Sequence, residues 1–245
     1  MHTSGTTPGQ PDPRPILFVG DIQGCAEELE ALLRVSGYQK GVHRLIPLGD
    51  MVNRGPDALG VLRLLEEHGA EPILGNHELA LLEILRGAEP PGWALEPHSA
   101  YVQLSAAGCW EDTMARVAAW PLWREGPDWI AVHAGLHPRL PPQHTHVDFL
   151  TTVRFCDATG VFPQHMYRAQ VRPGSAEFPP WFRHYRGPKT VLFGHWAPRG
   201  LVWGEHVIGL DTGCVTGRNL SGLWWPERRL VQVPARKAYF IPPLR

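Results

Sequence analysis

Excess charge of either sign is missing. Twenty-three Lys and Arg against 24 Asp and Glu leave a formal net charge of -1 over 245 residues. That excludes a protein that holds nucleic acid by bulk positive charge, although a local basic pocket remains open. Cysteine is scarce: Cys25, Cys109, Cys156 and Cys214 form no C-x-x-C pair. Their spacing suggests neither a zinc ribbon nor a disulfide framework, and reduced thiols in a cytoplasmic setting are the simplest expectation. No apolar run approaches the roughly 18 residues of a membrane span. The stretch Met1 to Arg14, rich in Thr, Gly and Pro, has no apolar run of a secretory signal and reads as a flexible tail. Internal repeats are absent.

What remains is a chain with 43% hydrophobic and 19% charged residues, enough apolar material for one full core. Pro15 to Gly20 (PILFVG) reads as a buried strand. Leu29, Leu32 and Leu33 then take helical spacing, with Glu27, Glu28 and Glu30 expected on the other face. Arg44 to Leu48 predicts a second strand. A helix bearing Val61, Leu64 and Leu65 follows, with Pro56 expected in its first turn. Pro72 to Leu74 predicts a third strand, before an apolar helix over Glu78 to Leu85. A β-α-β-α-β order implies parallel strands with right-handed crossovers and functional loops at their carboxyl ends.

Glu89 to Gly92 (EPPG) interrupts this pattern. Weak helices follow around Tyr101 to Gly108 and Thr113 to Trp120. Trp129 to Val132 and Thr190 to Phe193 read as strands, with a Pro-rich aromatic region between them. Leu201 to Val233 alternates like antiparallel strands. A 15–245 domain with cap segments within 87–125 and 138–188 is the expected organisation.

Five motifs follow predicted strands: Gly20-Asp21-Ile22-Gln23-Gly24, Gly49-Asp50-Met51-Val52-Asn53-Arg54-Gly55, Gly75-Asn76-His77-Glu78, Val132-His133-Ala134-Gly135 and Gly194-His195-Trp196. Each sets a carboxylate, amide or imidazole beside glycine, which lets backbone approach a site closely. Two divalent ions about 3.5–4 Å apart share a bridging carboxylate and acidify a water between them. Oxygen and imidazole ligands without thiolates suit Mn, Fe, Co, Zn or Mg. One such turn alone is ordinary. The ordered set of five is specific. His68, His98, His137, His144, His146, His165 and His184 lie outside the motifs and read as surface or core residues.

The set resembles the calcineurin-like metallophosphoesterases. It is closer still to the symmetrical diadenosine tetraphosphatases in the runs Val132 to Pro138, Val153 to Cys156, Phe193 to Trp196 and Leu210 to Cys214. The resemblance covers nearly all of Leu17 to Val233. It implies an α/β fold, a sandwich of two mixed β-sheets flanked by helices with a cap region. It implies two divalent metals, with Mn, Co or Mg favoured. Asp21 would bind the first ion, Asp50 would bridge, and Asn76, His133 and His195 would bind the second. Arg54 and Arg154 would hold phosphate oxygens, and His77 would face the leaving group as an acid. The implied reaction cuts diadenosine tetraphosphate into two ADP.

Two departures stand out. Gln23 replaces the superfamily's usual His and either ligates the first ion weakly or hydrogen-bonds to its water. Asn53 occupies the place of an Asp in the protein phosphatases and cannot stabilise an imidazolium as a carboxylate does. A serine alkoxide, like hydroxide from bulk water with a pKa of roughly 16, needs a proton to leave. A nucleoside diphosphate leaves as a phosphate oxygen with a pKa on the order of 6 and needs little help. Asn53 therefore tilts the choice from phosphoserine toward a phosphoanhydride. Removal of nucleoside-tetraphosphate caps from RNA 5′ ends, protein serine/threonine phosphatase activity and non-catalytic nucleotide binding are the rival readings. Of the ten tryptophans, Trp93, Trp110, Trp120, Trp123 and Trp181 fall in or beside the cap segments. Core packing is the expected fate of most, and stacking on adenine that of a minority.

Overall fold

The computed structural model describes residues 12–161 and 175–242. Most of the expected tail, part of the second cap segment and His165 lie outside these residues. The first sheet contains β1 (Ile16–Val19), β2 (Arg44–Pro47), β8 (Asn219–Trp225) and β9 (Arg229–Pro234) in the order β2-β1-β8-β9. The second contains β3 (Trp123–Glu125), β4 (Trp129–Val132), β5 (Thr190–Phe193), β6 (Val202–Trp203) and β7 (Val207–Gly209) in the order β3-β4-β5-β7-β6. Both sheets are mixed. β1 runs parallel to β2 and antiparallel to β8, while β5 runs parallel to both β4 and β7.

The period of two decides which layer each side chain enters. On β1, Leu17 and Val19 face a layer of helices, whereas Ile16 and Phe18 face the second sheet. On β4, Trp129 and Ala131 meet them across the sandwich, and Ile130 and Val132 face the outer side with Phe149 and Trp181. Strands covered on both faces read as unbroken apolar runs, which is why β1, β4 and β5 are visible in the sequence. Each fully buried large side chain there contributes about 1.5–3 kcal/mol.

The helices are α1 (Ala26–Ser36), α2 (Ala58–Glu67), α3 (Asn76–Leu85), α4 (Ala100–Ala106), α5 (Trp110–Val117) and α6 (Val147–Thr152). Leu104, Trp110, Met114 and Val117 carry α4 and α5 into the same core as α1, α2 and α3.

Four details correct the sequence reading. Pro72 to Leu74 forms no strand: Glu71 and Ile73 donate to Leu45 and Pro47 of β2, but Pro72 and Pro47 have no N–H to continue a ladder. Pro56 lies before α2, because Asp57 is the cap and accepts from the Gly60 amide at 2.7 Å. Glu28 is buried rather than on an outer face, and accepts from the Arg236 amide and the Tyr239 hydroxyl. The C-terminal strands are split between the sheets, with β7 parallel to β5 and β8 antiparallel to β1. Among the described residues, no helix is long and apolar enough to cross a membrane.

Candidate metal centre

The carboxyl ends of β1, β2, β4 and β5 meet at one edge of the sandwich. Asp21, Asp50, His133 and His195 stand just beyond them, and Asn76 opens α3 beside them. Ligand atoms of Asp21, Asp50 and His133 lie within 4.8 Å of one another. The Asn76 carbonyl oxygen is 3.1 Å from His133 Nε2 and 2.9 Å from His195 Nδ1. His133 Nε2 is 3.3 Å from Asp50 Oδ1. Gln23 Nε2 approaches Asp50 Oδ2 at 3.4 Å, and the His195 amide donates to Asp21 Oδ1 at 2.9 Å. Six of the expected residues, Asp21, Gln23, Asp50, Asn76, His133 and His195, thus converge.

The chain is strained where they converge. Gln23, Asp50, Asn53, Arg54 and His195 all have φ between 47° and 73°. Apart from them, only Arg228 among the described non-glycine residues shares that conformation. Such strain persists where surrounding contacts over-determine it. Close approach demands glycine at two points: a Cβ on Gly75 would strike Asp50 Oδ1, and one on Gly194 would strike Asp21 Oδ1.

Backbone carbonyls fix both imidazoles. His133 Nδ1 donates to Leu48 O at 2.8 Å, and His195 Nε2 donates to Thr152 O at 3.1 Å. The remaining nitrogens therefore face Asn76 and Asp50, the side on which a metal-binding histidine presents its lone pair. Burial pushes the His133 imidazole down, but Asp50 outweighs it and holds the group up at about 10, so this corner attracts positive charge. Burial and the neighbouring His133 push His195 down, favouring neutral imidazole. Asp21 is pushed up by burial and by Asp211 beside it, and its Oδ2 is buried with no hydrogen-bond partner. Buried acceptors outnumber donors here. That donor set fits divalent cations held by oxygen and imidazole.

Glu78, which the sequence reading left without a role, organises the site. Fully buried at the start of α3, it accepts from the amides of Gly75, Asp50 and Met51 at 2.9 Å each and from Val52 at 3.3 Å. Burial and Asp50 push its carboxyl up to about 7. The available signal was its place three residues after a helix-initiating glycine. Asp211, part of the Leu210 to Cys214 run, was also left without a role, and no local signal links it to Asp21. A second buried group, Cys25, Glu28 and Cys214, lies behind the loops, and all four cysteines are free.

His77 sits at the mouth, with Nε2 3.7 Å from Asp50 Oδ2. The Ala100 amide donates to Asn53 Oδ1 at 2.7 Å, which fixes the Asn53 side chain and turns its NH2 to His77 Nδ1 at 3.2 Å. His77 Nδ1 is then an acceptor and Nε2 carries the proton. Burial pushes His77 down to about 4, opposed by Asp50 and reinforced by Arg54. Arg54 is exposed at the rim, its guanidinium 5.1 Å from the Phe240 ring. Arg154 reaches the His195 carbonyl at 3.3 Å. His137 is committed elsewhere: its Nδ1 accepts from the amides of Arg139 and Leu140.

A family model for calcineurin-like phosphoesterases matches residues 14–205. A symmetrical bis(5′-nucleosyl)-tetraphosphatase of Vibrio cholerae is 31% identical over 86% of this chain and 95% of its own length. One from Aromatoleum aromaticum is 30% identical over 91% and 97%. A solved structure whose diadenosine tetraphosphatase assignment is provisional superposes with a TM-score of 0.73, at 32% identity over 91% of this chain and 94% of the other. A family model over most of the chain and relatives at 30% identity or more across nearly their whole length agree with the two mixed sheets described above: the chain belongs to the calcineurin-like phosphoesterase family.

Proposed function

We propose that the protein hydrolyses dinucleoside polyphosphates and cuts diadenosine tetraphosphate symmetrically into two ADP. The observation that carries this reading is His77, whose Nδ1 faces the Asn53 amide that Ala100 fixes, beside the cluster of buried acceptors. The activity named for the relatives supports the substrate. In this reading Asp21, Gln23 and Asp50 hold one ion, and Asp50, Asn76, His133 and His195 hold the other. When bound, two divalent ions polarise phosphoryl oxygens and supply an acidified water as nucleophile. Arg54, at the rim, and Arg154, behind His195, take up phosphate charge as guanidinium forks. His77 offers its Nε2 proton to the departing oxygen as a hydrogen bond. That suffices for a phosphate leaving group and serves a serine alkoxide poorly.

Mn, Co or Mg is the proposed metal, and a cytoplasmic setting is consistent with the free cysteines. The proposal treats residues 15–245 as one catalytic domain, with cap segments within 87–125 and 138–188. The test is chromatography of products from metal-loaded protein and diadenosine tetraphosphate, with Mn, Co and Mg in parallel. ADP alone, lost in Asp50→Ala, is the expected result. ATP plus AMP would refute the symmetrical cut, and absence of turnover with every metal would refute the reaction. A capped RNA 5′ end with the same anhydride belongs in the same assay as a second substrate.

A further inference from the structure

Tryptophan is distributed unevenly over the molecule. Trp110, Trp129, Trp181, Trp196, Trp224 and Trp225 are buried. Trp93 and Trp203 are the large exposed ones, at 42% and 49% exposure among the described residues. Trp203 lies on the edge strand β6, two strands from β5 in the second sheet, and is covered in part by Arg228, 5.5 Å from its ring. Trp93 is different. Its ring centroid is 6.4 Å from that of His77, at the mouth of the site.

The turn that carries Trp93 is built to hold it there. Residues Gly92–Leu95 form a single 3₁₀ turn after Pro90 and Pro91. Ala94, fully buried in the helical core, pegs the turn, and its amide donates to Pro91 O at 2.8 Å. Ser99 Oγ donates to Ala94 O at 2.5 Å, and the next residue, Ala100, donates to Asn53. The turn is therefore tied through Ser99, Ala100 and Asn53 to His77 itself. Core packing is supplied by Ala94, which leaves Trp93 outside the core, partly exposed and beside His77.

We propose that Trp93 is the platform on which one nucleobase of the substrate stacks. The proposal rests on the phosphoanhydride reading above and adds to it the element that recognises a nucleoside. His77 Nε2 lies 3.7 Å from Asp50, and Trp93 stands one side chain further out. A ligand whose departing phosphate faces His77 carries a second phosphate and a ribose before its base, so the base needs a partner beyond His77, and Trp93 is the exposed ring that stands there. Every base presents a π-face, so the platform reads the presence of a base more than its identity.

The test compares parent, Trp93→Ala and Trp93→Phe as Mn-loaded full-length proteins on diadenosine tetraphosphate and on inorganic tetraphosphate. The ratio of kcat/KM for the dinucleotide to that for the base-free anhydride is expected to fall about tenfold in Trp93→Ala, mostly through KM, and to recover to within about threefold in Trp93→Phe. A ratio within about twofold of the parent in Trp93→Ala overturns the platform, whatever happens to the absolute rates. Calorimetric titration with ADP and with pyrophosphate separates this idea from the reaction itself. If the parent releases no ADP from the dinucleotide, the proposed reaction fails. The platform still stands if Trp93→Ala weakens ADP alone about tenfold, and falls if both ligands weaken equally or neither does.

Discussion

The two halves of the acceptor cluster are made differently. Around Asn76, His133 and His195, every group is held in place: each imidazole spends one nitrogen on a backbone carbonyl, and Asn76 stands within 3.1 Å of both. Around Asp21 and Gln23, support is thin. Asp21 Oδ2 is buried without a hydrogen-bond partner, Asp211 crowds it with a second buried carboxylate, and Gln23 reaches Asp50 at 3.4 Å from a strained backbone. Under the proposed assignment, the first half would be ready before an ion arrives, and the second would gain further order from the ion. One ion would then be tight and one loose.

The comparison is broken most completely through the residue both halves share. Asp50→Ala removes it, and hydrolysis of diadenosine tetraphosphate is expected to fall on the order of a thousandfold, measured by ADP release. Next is the scaffold under both halves. Glu78→Ala strands up to four buried amides and should cost about 3 kcal/mol. For a domain of this size that lowers Tm by roughly 6–12 °C in a thermal melt followed by circular dichroism. His133→Ala addresses the ready half alone and should weaken the tighter Mn by about a hundredfold in a chelator competition. The smallest effect sharpens the contrast from the other side. Gln23→His should tighten the weaker Mn by about tenfold in calorimetry, with the tighter ion unmoved. Unchanged affinity would place Gln23 beside a water rather than on the ion.

The residues of this edge were legible because chemistry-bearing side chains follow apolar strands and sit against glycine. Asp21, Asp50, His133 and His195 each stand within three residues of a strand visible as an apolar run. What holds them was hidden. Leu48 and Thr152 contribute carbonyls, which no side-chain pattern reveals. Asn53 meets Ala100 across 47 residues, and that contact, rather than the Asn-for-Asp change alone, determines which nitrogen of His77 bears the proton. Pro72 to Leu74 misled because its composition is strand-like while its missing N–H is not. Glu28 misled because helical spacing cannot foresee Arg236 and Tyr239 arriving from the other end of the chain. β3 and α6 were too short to leave a period.

The position of β1 has a consequence for the order in which the molecule is made. Its four residues lie between β2, which follows within 30 residues, and β8, about 200 residues away. Gly20, one residue before Asp21, is pinned to Ser221 by a backbone hydrogen bond of 3.0 Å, and Asp21 itself to the His195 amide. Pairing on the second side of β1 therefore requires residues 219–225 to have been made. The Asp21 loop is translated about 200 residues before the strand that pins it, so a chain cut short of β8 carries the motifs of a hydrolase without the pairing that holds Asp21 in place.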